Sequence, residues 1–148
     1  MIYNVKITSD KADEIEIGKS DKEEERNLIT GIEILMDTVN DDVRQKSPAM
    51  LAKITIRGQI SDIINSELMG LFNWSKELDE SKWYRKLEMQ VKTSDDVVLR
   101  TYEFENVFVV DYLESYTTEG EQDSTSSKEH FELKLTQKEN NFKKIETY

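Results

Sequence analysis

The chain has 148 residues, 36% of them hydrophobic, with one histidine, one proline and no cysteine, which suits a single domain whose modest core needs no cross-link. The missing thiols exclude disulfides, zinc–thiolate sites and cysteine nucleophiles. With 31 acidic against 20 basic residues the formal charge is −11, which repels phosphate backbones and anionic lipid and argues against nucleic-acid binding.

Met1 to Ser9 alternates, with Tyr3, Val5 and Ile7 on one parity, the signature of a strand with one buried face. An export signal needs a basic start and an apolar run. Neither is present, so cytoplasmic assembly is expected, with no Sec export and no stable membrane insertion. Asp10 to Glu25 holds eight acidic residues and reads as solvated, interrupted by a short strand pattern at Ile15 and Ile17. Leu28 to Asp37 reads as a third strand, with Ile32, Ile34 and Met36 on one face and Leu35 on the other.

Thr38 to Ala49 is polar and contains Pro48, so strand pairing is expected to lapse in an extended loop over about 38–50. Ala52, Ile54, Ile56 and Ile60 then share a face, and Gly58 marks a bulge or a close backbone approach. Ser61 offers an N-cap hydroxyl, and Ile64, Leu68, Leu71 and Phe72 fall at helical spacing. The pattern predicts one helix over about 62–76, with Trp74 at its end.

Trp83, Arg85, Leu87, Met89 and Val91 oppose Lys86, Glu88, Gln90 and Lys92 in a strand with one wet face. A tight turn is expected at Ser94 to Asp96. In the long return strand Tyr102, Phe104, Phe108, Val110 and Tyr112 keep even parity, interrupted at Asn106, while Val107, Val109 and Leu113 supply apolar surface on the odd face. Thr117 to Ser127 reads as a loop. It leads to a strand through Phe131, Leu133 and Leu135 and a short tail around Phe142, Ile145 and Tyr148.

The fold class is therefore mainly β: one domain, 1–148, of about eight antiparallel strands in a barrel or sandwich with one flanking helix. Leu28–Asp37 and Tyr102–Leu113 are apolar on both faces. In a barrel one face fills the core, so the other needs the helix or a neighbouring subunit, which favours self-association.

No catalytic constellation is visible. Paired carboxylates lack a placed partner, His130 reads as a surface residue, and the HExxH, GxSxG, GxxxxGK[ST] and GxGxxG motifs are missing. The acidic run lacks the DxDxDG spacing of a calcium loop, so neither a metal nor another cofactor is expected. Trp74, Trp83 and Tyr84 read as core and rim or, alternatively, as the lining of a ligand pocket.

The order strand, long loop, strand ending Ile54-Thr55-Ile56-Arg57-Gly58-Gln59-Ile60, helix, then Trp74-Ser75 and Tyr84-Arg85-Lys86-Leu87-Glu88 resembles the tube proteins of contractile injection systems. That family includes the haemolysin-coregulated protein of type VI secretion and phage tail-tube proteins. The stretch from Arg100 to Tyr112 is similar to the aromatic-rich strand of that family. The resemblance, over roughly Leu28 to Leu135, implies a β-barrel with a flanking helix, closing into hexameric rings that stack as a hollow tube inside a sheath. It implies a non-catalytic protein whose partners are copies of itself and the sheath, baseplate or spike of the apparatus, and which leaves the cell through that apparatus without a signal peptide. Asn40, Asp41, Asp42, Arg44 and Lys46 then become candidate inter-ring contacts, and Val107, Val109 and Leu113 candidate inter-subunit contacts. The resemblance assigns no counterpart to the segments Asp10–Glu25 and Glu119–Lys128. A tube adaptor or initiator, or a monomeric barrel that binds a ligand or protein, is the alternative reading.

Overall fold

The computed structural model describes residues 1–38, 50–117, 129–137 and 145–147. Among them the strands are β1 (Ile2–Ser9), β2 (Ala12–Ile17), β3 (Ile29–Thr38), β4 (Met50–Gln59), β5 (Arg85–Lys92), β6 (Val98–Ser115), β7 (His130–Gln137) and β8 (Ile145–Thr147). They form one antiparallel sheet in the order β2-β1-β5-β6-β7-β4-β3, with β8 pairing β6. The sheet curls around a single core built from the inward residues of β1, β2 and β4 to β7: Val5 and Ile7, Ile15 and Ile17, Ile54 and Ile56, Leu87 and Met89, Phe104, and Leu133 and Leu135.

Among the described residues no ladder joins the outer strands β2 and β3, so hydrogen bonds do not close the barrel. The seam is bridged by the connection between those two strands. Gly18, at φ 85°, turns the chain back so tightly that a Cβ there would sit 2.2 Å from the Tyr3 carbonyl oxygen, a position that only glycine fills without strain. Glu25, expected in a solvated run, is buried. Its carboxylate accepts from the Gly18 and Lys19 amides at 3.1 and 3.4 Å, giving two otherwise unpaired donors a partner. The Gln59 amide then donates to the Leu28 carbonyl at 2.8 Å as the chain enters β3.

The helix forms where the sequence places it. Asp62–Ile64 is a turn of 3₁₀ helix whose Ser61 cap hydroxyl accepts from the Ile63 amide, and α1 (Asn65–Ser75) continues it. Ile64, Leu68, Leu71 and Trp74 are buried in the core. Phe72, expected on the buried face, is 46% exposed. At about 100° per residue it lies a quarter turn beyond Leu71, whereas Trp74 swings back toward the core. The Trp74 indole donates to the Trp83 carbonyl at 2.7 Å and the Trp83 indole to the Glu77 carbonyl at 2.7 Å. These two bonds tie the end of the helix to the entry of β5.

Gly58 serves both roles read from the sequence. A bulge in β3 lies opposite it, between Ile29 and Gly31, and a Cβ would meet the Phe131 ring at 2.5 Å. Thr93 to Val97 makes the tight turn between β5 and β6, with Asp96 at φ 64°. Lys92, expected on the wet face of β5, is buried, as is its cross-strand partner Ile2.

Candidate assembly surface

The candidate surface depends on which side chains β6 turns outward, and two bulges decide that. Arg85 pairs with Val107 and Leu87 with Phe104, so β6 carries an extra residue there, accommodated by Asn106 at φ 56°. A second irregularity separates Val109 from Asp111 opposite the consecutive residues Leu135 and Lys134. Each extra residue flips the alternation. The core therefore receives Tyr102 and Phe104, then Val107 and Val109, then Tyr112.

This corrects the uniform parity assumed from the sequence. Val107 is fully buried, and Val109 packs against the core, so neither presents the free outer face predicted for it. Leu113 does remain outside, 50% exposed, and Val110 joins it. Asn40, Asp41, Asp42, Arg44 and Lys46 lie outside the described residues. The β3–β4 ladder that leads to their segment pairs as far as Thr38 with Met50.

The outer face of β3, β4, β7 and the second half of β6 carries a row of charge. Arg57 bonds Glu33 at 3.1 Å and Glu132 at 3.0 Å, Lys134 reaches Glu132 at 3.5 Å, and Lys53 pairs with Asp37 at 2.8 Å. Such exposed pairs contribute little to stability, about 0–1 kcal/mol each, but they fix a charge pattern that a partner surface must match. Leu35 stays bare on this face, and its register partners lead across the sheet through Lys53 and Thr136 to Phe108. The helix does not cover this surface: Ile64, Leu68, Leu71 and Trp74 are turned into the core, and Leu35, Val110 and Leu113 stay exposed.

The other half of the outer surface, on β2, β1, β5 and the first half of β6, is polar as well except for the half-exposed Val98 and Leu99 where β6 begins. Asn4 donates to Glu16 at 2.9 Å, Lys6 pairs with Glu14 at 3.6 Å, and Lys86 lies among Glu88, Glu103 and Glu105 at 3.6 to 4.0 Å. The two edges differ. β2 is guarded by Asp13, Glu14 and Glu16, as edge strands commonly are. β3 presents ten residues with fewer charges.

Trp74, Trp83, Phe108 and Val109 line a cleft of about 230 Å³. Both indole N–H groups are already committed to backbone carbonyls, and Ser75 and Glu77 form the polar edge of the cleft. His130 opens β7 and is half-buried, with Nδ1 enclosed and unbonded. Among the described residues no group of three or more His, Asp or Glu side chains could hold a metal ion, and no helix is long and apolar enough to cross a membrane.

Neither a protein-family model nor a curated protein sequence matches the chain. Its three-dimensional fold, however, is found in solved structures. A variant of the Hcp1 protein of E. coli EAEC 042 superposes over 100% of this chain and 98% of its own, at 12% identity and a TM-score of 0.61. A chain of the sheath–tube complex of PVC, an extracellular contractile injection system in its extended state, matches over 99% and 87%, at 13% identity and a TM-score of 0.57. A chain of the structure of the anti-feeding prophage cap, which terminates its tube, matches over 97% and 87%, at 13% identity and a TM-score of 0.51. The chain has the fold of Hcp and of the tube proteins of contractile injection systems.

Proposed function

We propose that the chain is a non-catalytic structural subunit of a hollow tube, built as six-membered rings that stack within a contractile injection apparatus. The observation that carries this reading is the near end-to-end likeness to Hcp1, with little of either chain left over to serve another task. The bare Leu35, Val110 and Leu113 outside a full core support it, since such surface is commonly covered by a partner. A ring closes by heterologous contact, in which one patch of each copy meets a different patch of the next. The relevant energies are then those of interfaces, and the sheath, baseplate or spike of the same apparatus are the further partners. In this reading the subunits assemble in the cytoplasm and leave the cell with the tube.

Size-exclusion chromatography with light scattering across a concentration series, followed by negative-stain microscopy, tests the reading. Rings or tubes with a central hole are expected, and a strict monomer at the highest concentration overturns it. The likeness to a chain found in the structure of a tube-terminating cap supports a second reading, an adaptor or terminator. An adaptor or terminator is expected to form rings that do not grow into tubes. The contacts between rings are assigned to the segment holding Asn40 to Lys46. Reversing both charges at Asp41 and Asp42 is expected to shorten filaments while leaving single rings intact, and unchanged filament length rejects that assignment.

A further inference from the structure

The β5–β6 hairpin runs past its neighbours in the sheet. β1 begins with Ile2 opposite Lys92, and β8 meets β6 only from Tyr102 to Phe104. Val98 to Thr101 therefore have β5 as their one ladder partner among the described residues. The projection is held stiffly. The Thr93 amide donates to the Val97 carbonyl at 2.9 Å, and Arg26, reaching over from the seam, donates to both carboxylate oxygens of Asp96 at 2.9 and 3.1 Å and to the Ser94 carbonyl. On this rigid support Val97, Val98 and Leu99 are 58, 48 and 51% exposed. Consecutive bare apolar residues on a preorganised element suit a contact, because little order is lost when they dock.

At the opposite end of β5 lies the apolar cleft of about 230 Å³ between Trp74, Trp83, Phe108 and Val109. Small-molecule sites run to about 300–1,000 Å³, so this hollow is the size of a side chain or two. Its walls are fixed by the two indole bonds and by the edge contact of Tyr84 with Phe108, and Leu78, next to Glu77 of its rim, is 92% exposed. Charge lets the two ends meet despite the net −11. Residues 76–83 carry Lys76 and Lys82 against Glu77, Asp79 and Glu80, while the hairpin carries Arg100 and the attached Arg26 against Asp95 and Asp96. Neither end thus holds more than one excess charge. Among the described residues the exposed Arg100 and the rim carboxylate of Glu77 form no ion pair, and Glu77 acts on Arg85 only through the longer-range field. A guanidinium and a carboxylate are matched partners.

We infer that the Val97–Leu99 hairpin of one copy of this chain seats in the Trp74–Trp83–Phe108 cleft of a second copy in the next ring, with Arg100 meeting Glu77. Register supports the direction. Arg85 pairs with Val107, Val107 with Gln137, and the neighbouring Thr136 with Lys53 near the start of β4, so the cleft lies at the end of the sheet from which the segment holding Asn40 to Lys46 departs, and the hairpin lies at the other. Two different patches that meet in this way make a heterologous contact, which repeats along one direction. The inference rests on the proposed tube and adds to it a second contact between rings.

The test pairs Val98→Asp, which charges the projection, with Ser75→Trp, which fills the mouth of the cleft; both positions are exposed, so thermal melting is expected to match wild type. By light scattering and negative-stain microscopy each variant alone is expected to stop at single rings, with the concentration needed for filaments raised at least tenfold, about 1.4 kcal/mol. Preformed rings of the two variants, once mixed, are expected to give ring pairs and nothing longer, since each kind keeps one working end. If Val98→Asp misfolds, Leu99→Ser makes the same comparison. Filaments of wild-type length from either variant overturn the contact while leaving the tube reading intact, and the Ser75→Trp protein stacking normally while the hairpin variant does not assigns the hairpin to some other partner surface. A wild type that stops at single rings also overturns the contact, whereas a monomeric wild type removes both readings.

Discussion

Replacing Gly58 by alanine adds one methyl group at a crowded point of the sheet. Its Cβ would lie 2.5 and 2.6 Å from two carbons of the Phe131 ring and 2.7 Å from the Leu28 carbonyl oxygen, whereas unstrained carbon contacts fall near 3.5–4.0 Å. The ring cannot swing aside freely, because Phe131 is fully buried and interiors are close-packed. The oxygen on the other side belongs to backbone and already accepts from Gln59. Relief therefore requires β7 and the entry of β3 to separate around β4. Overpacking of this kind costs about 1–3 kcal/mol, and the two-sided clash places Gly58→Ala near the upper end. Reduced freedom of the unfolded chain offsets about 0.4–1 kcal/mol of that, leaving a net loss of about 2 kcal/mol. For a domain of this size that lowers the melting temperature by about 4–8 °C and the urea midpoint by about 1 M. Phe131→Leu in the same background removes the ring clash but not the carbonyl clash, so a double-mutant cycle is expected to show partial rescue. A Gly58→Ala protein melting within 1 °C of wild type refutes the steric argument.

Other consequences concern β6. Asn106 holds φ 56° at the first bulge, so Asn106→Gly is expected to be neutral or mildly stabilising in a urea titration, whereas the β-branched Asn106→Val loses about 1–2 kcal/mol. Equal stabilities of the two variants would dismiss the bulge as the reason for the residue. The Tyr112 hydroxyl is pushed above the ordinary tyrosine range, first by burial and then by donating to the Glu114 carboxylate at 2.9 Å. The folded chain thus keeps a proton that the unfolded chain releases near pH 10. Stability is expected to fall as pH rises beyond about 10, and Tyr112→Phe should flatten that fall in melts taken from pH 9 to 11. An unchanged slope assigns alkaline unfolding to other groups.

The bulges also mark where legibility in the sequence ended. Strand alternation identified β1, β2, β4, β5 and β7 and most of their inward residues, because a strand with one wet face writes its period directly into the residue types. The helix was equally plain, from a capping serine and apolar residues at helical spacing. In β6 both parities are apolar, so nothing in the residue types showed where the alternation changed phase. Asn106 was the sole hint, as a residue tolerant of positive φ in the middle of a strand. Val107 and Val109 consequently read as outward-facing when they fill the core, and only Leu113 of that trio stays bare. On the helix, Phe72 and Trp74 fit the apolar stripe about equally well, and packing chose the tryptophan, whose indole finds a carbonyl at the start of β5.

The sequence by itself determined the number and kind of elements and the net negative charge, since each follows from local periodicity and composition. Tertiary structure alone decided the rest. It drew Glu25 inside because two backbone amides at the seam needed an acceptor, and it flipped β6 twice so that one long strand could serve two partners. It also left Arg85 beside the Trp74 ring with its Nε buried and, among the described residues, without a hydrogen-bond partner. These outcomes depend on which groups distant segments bring together, and a reading of period and residue type along one segment carries no term for that.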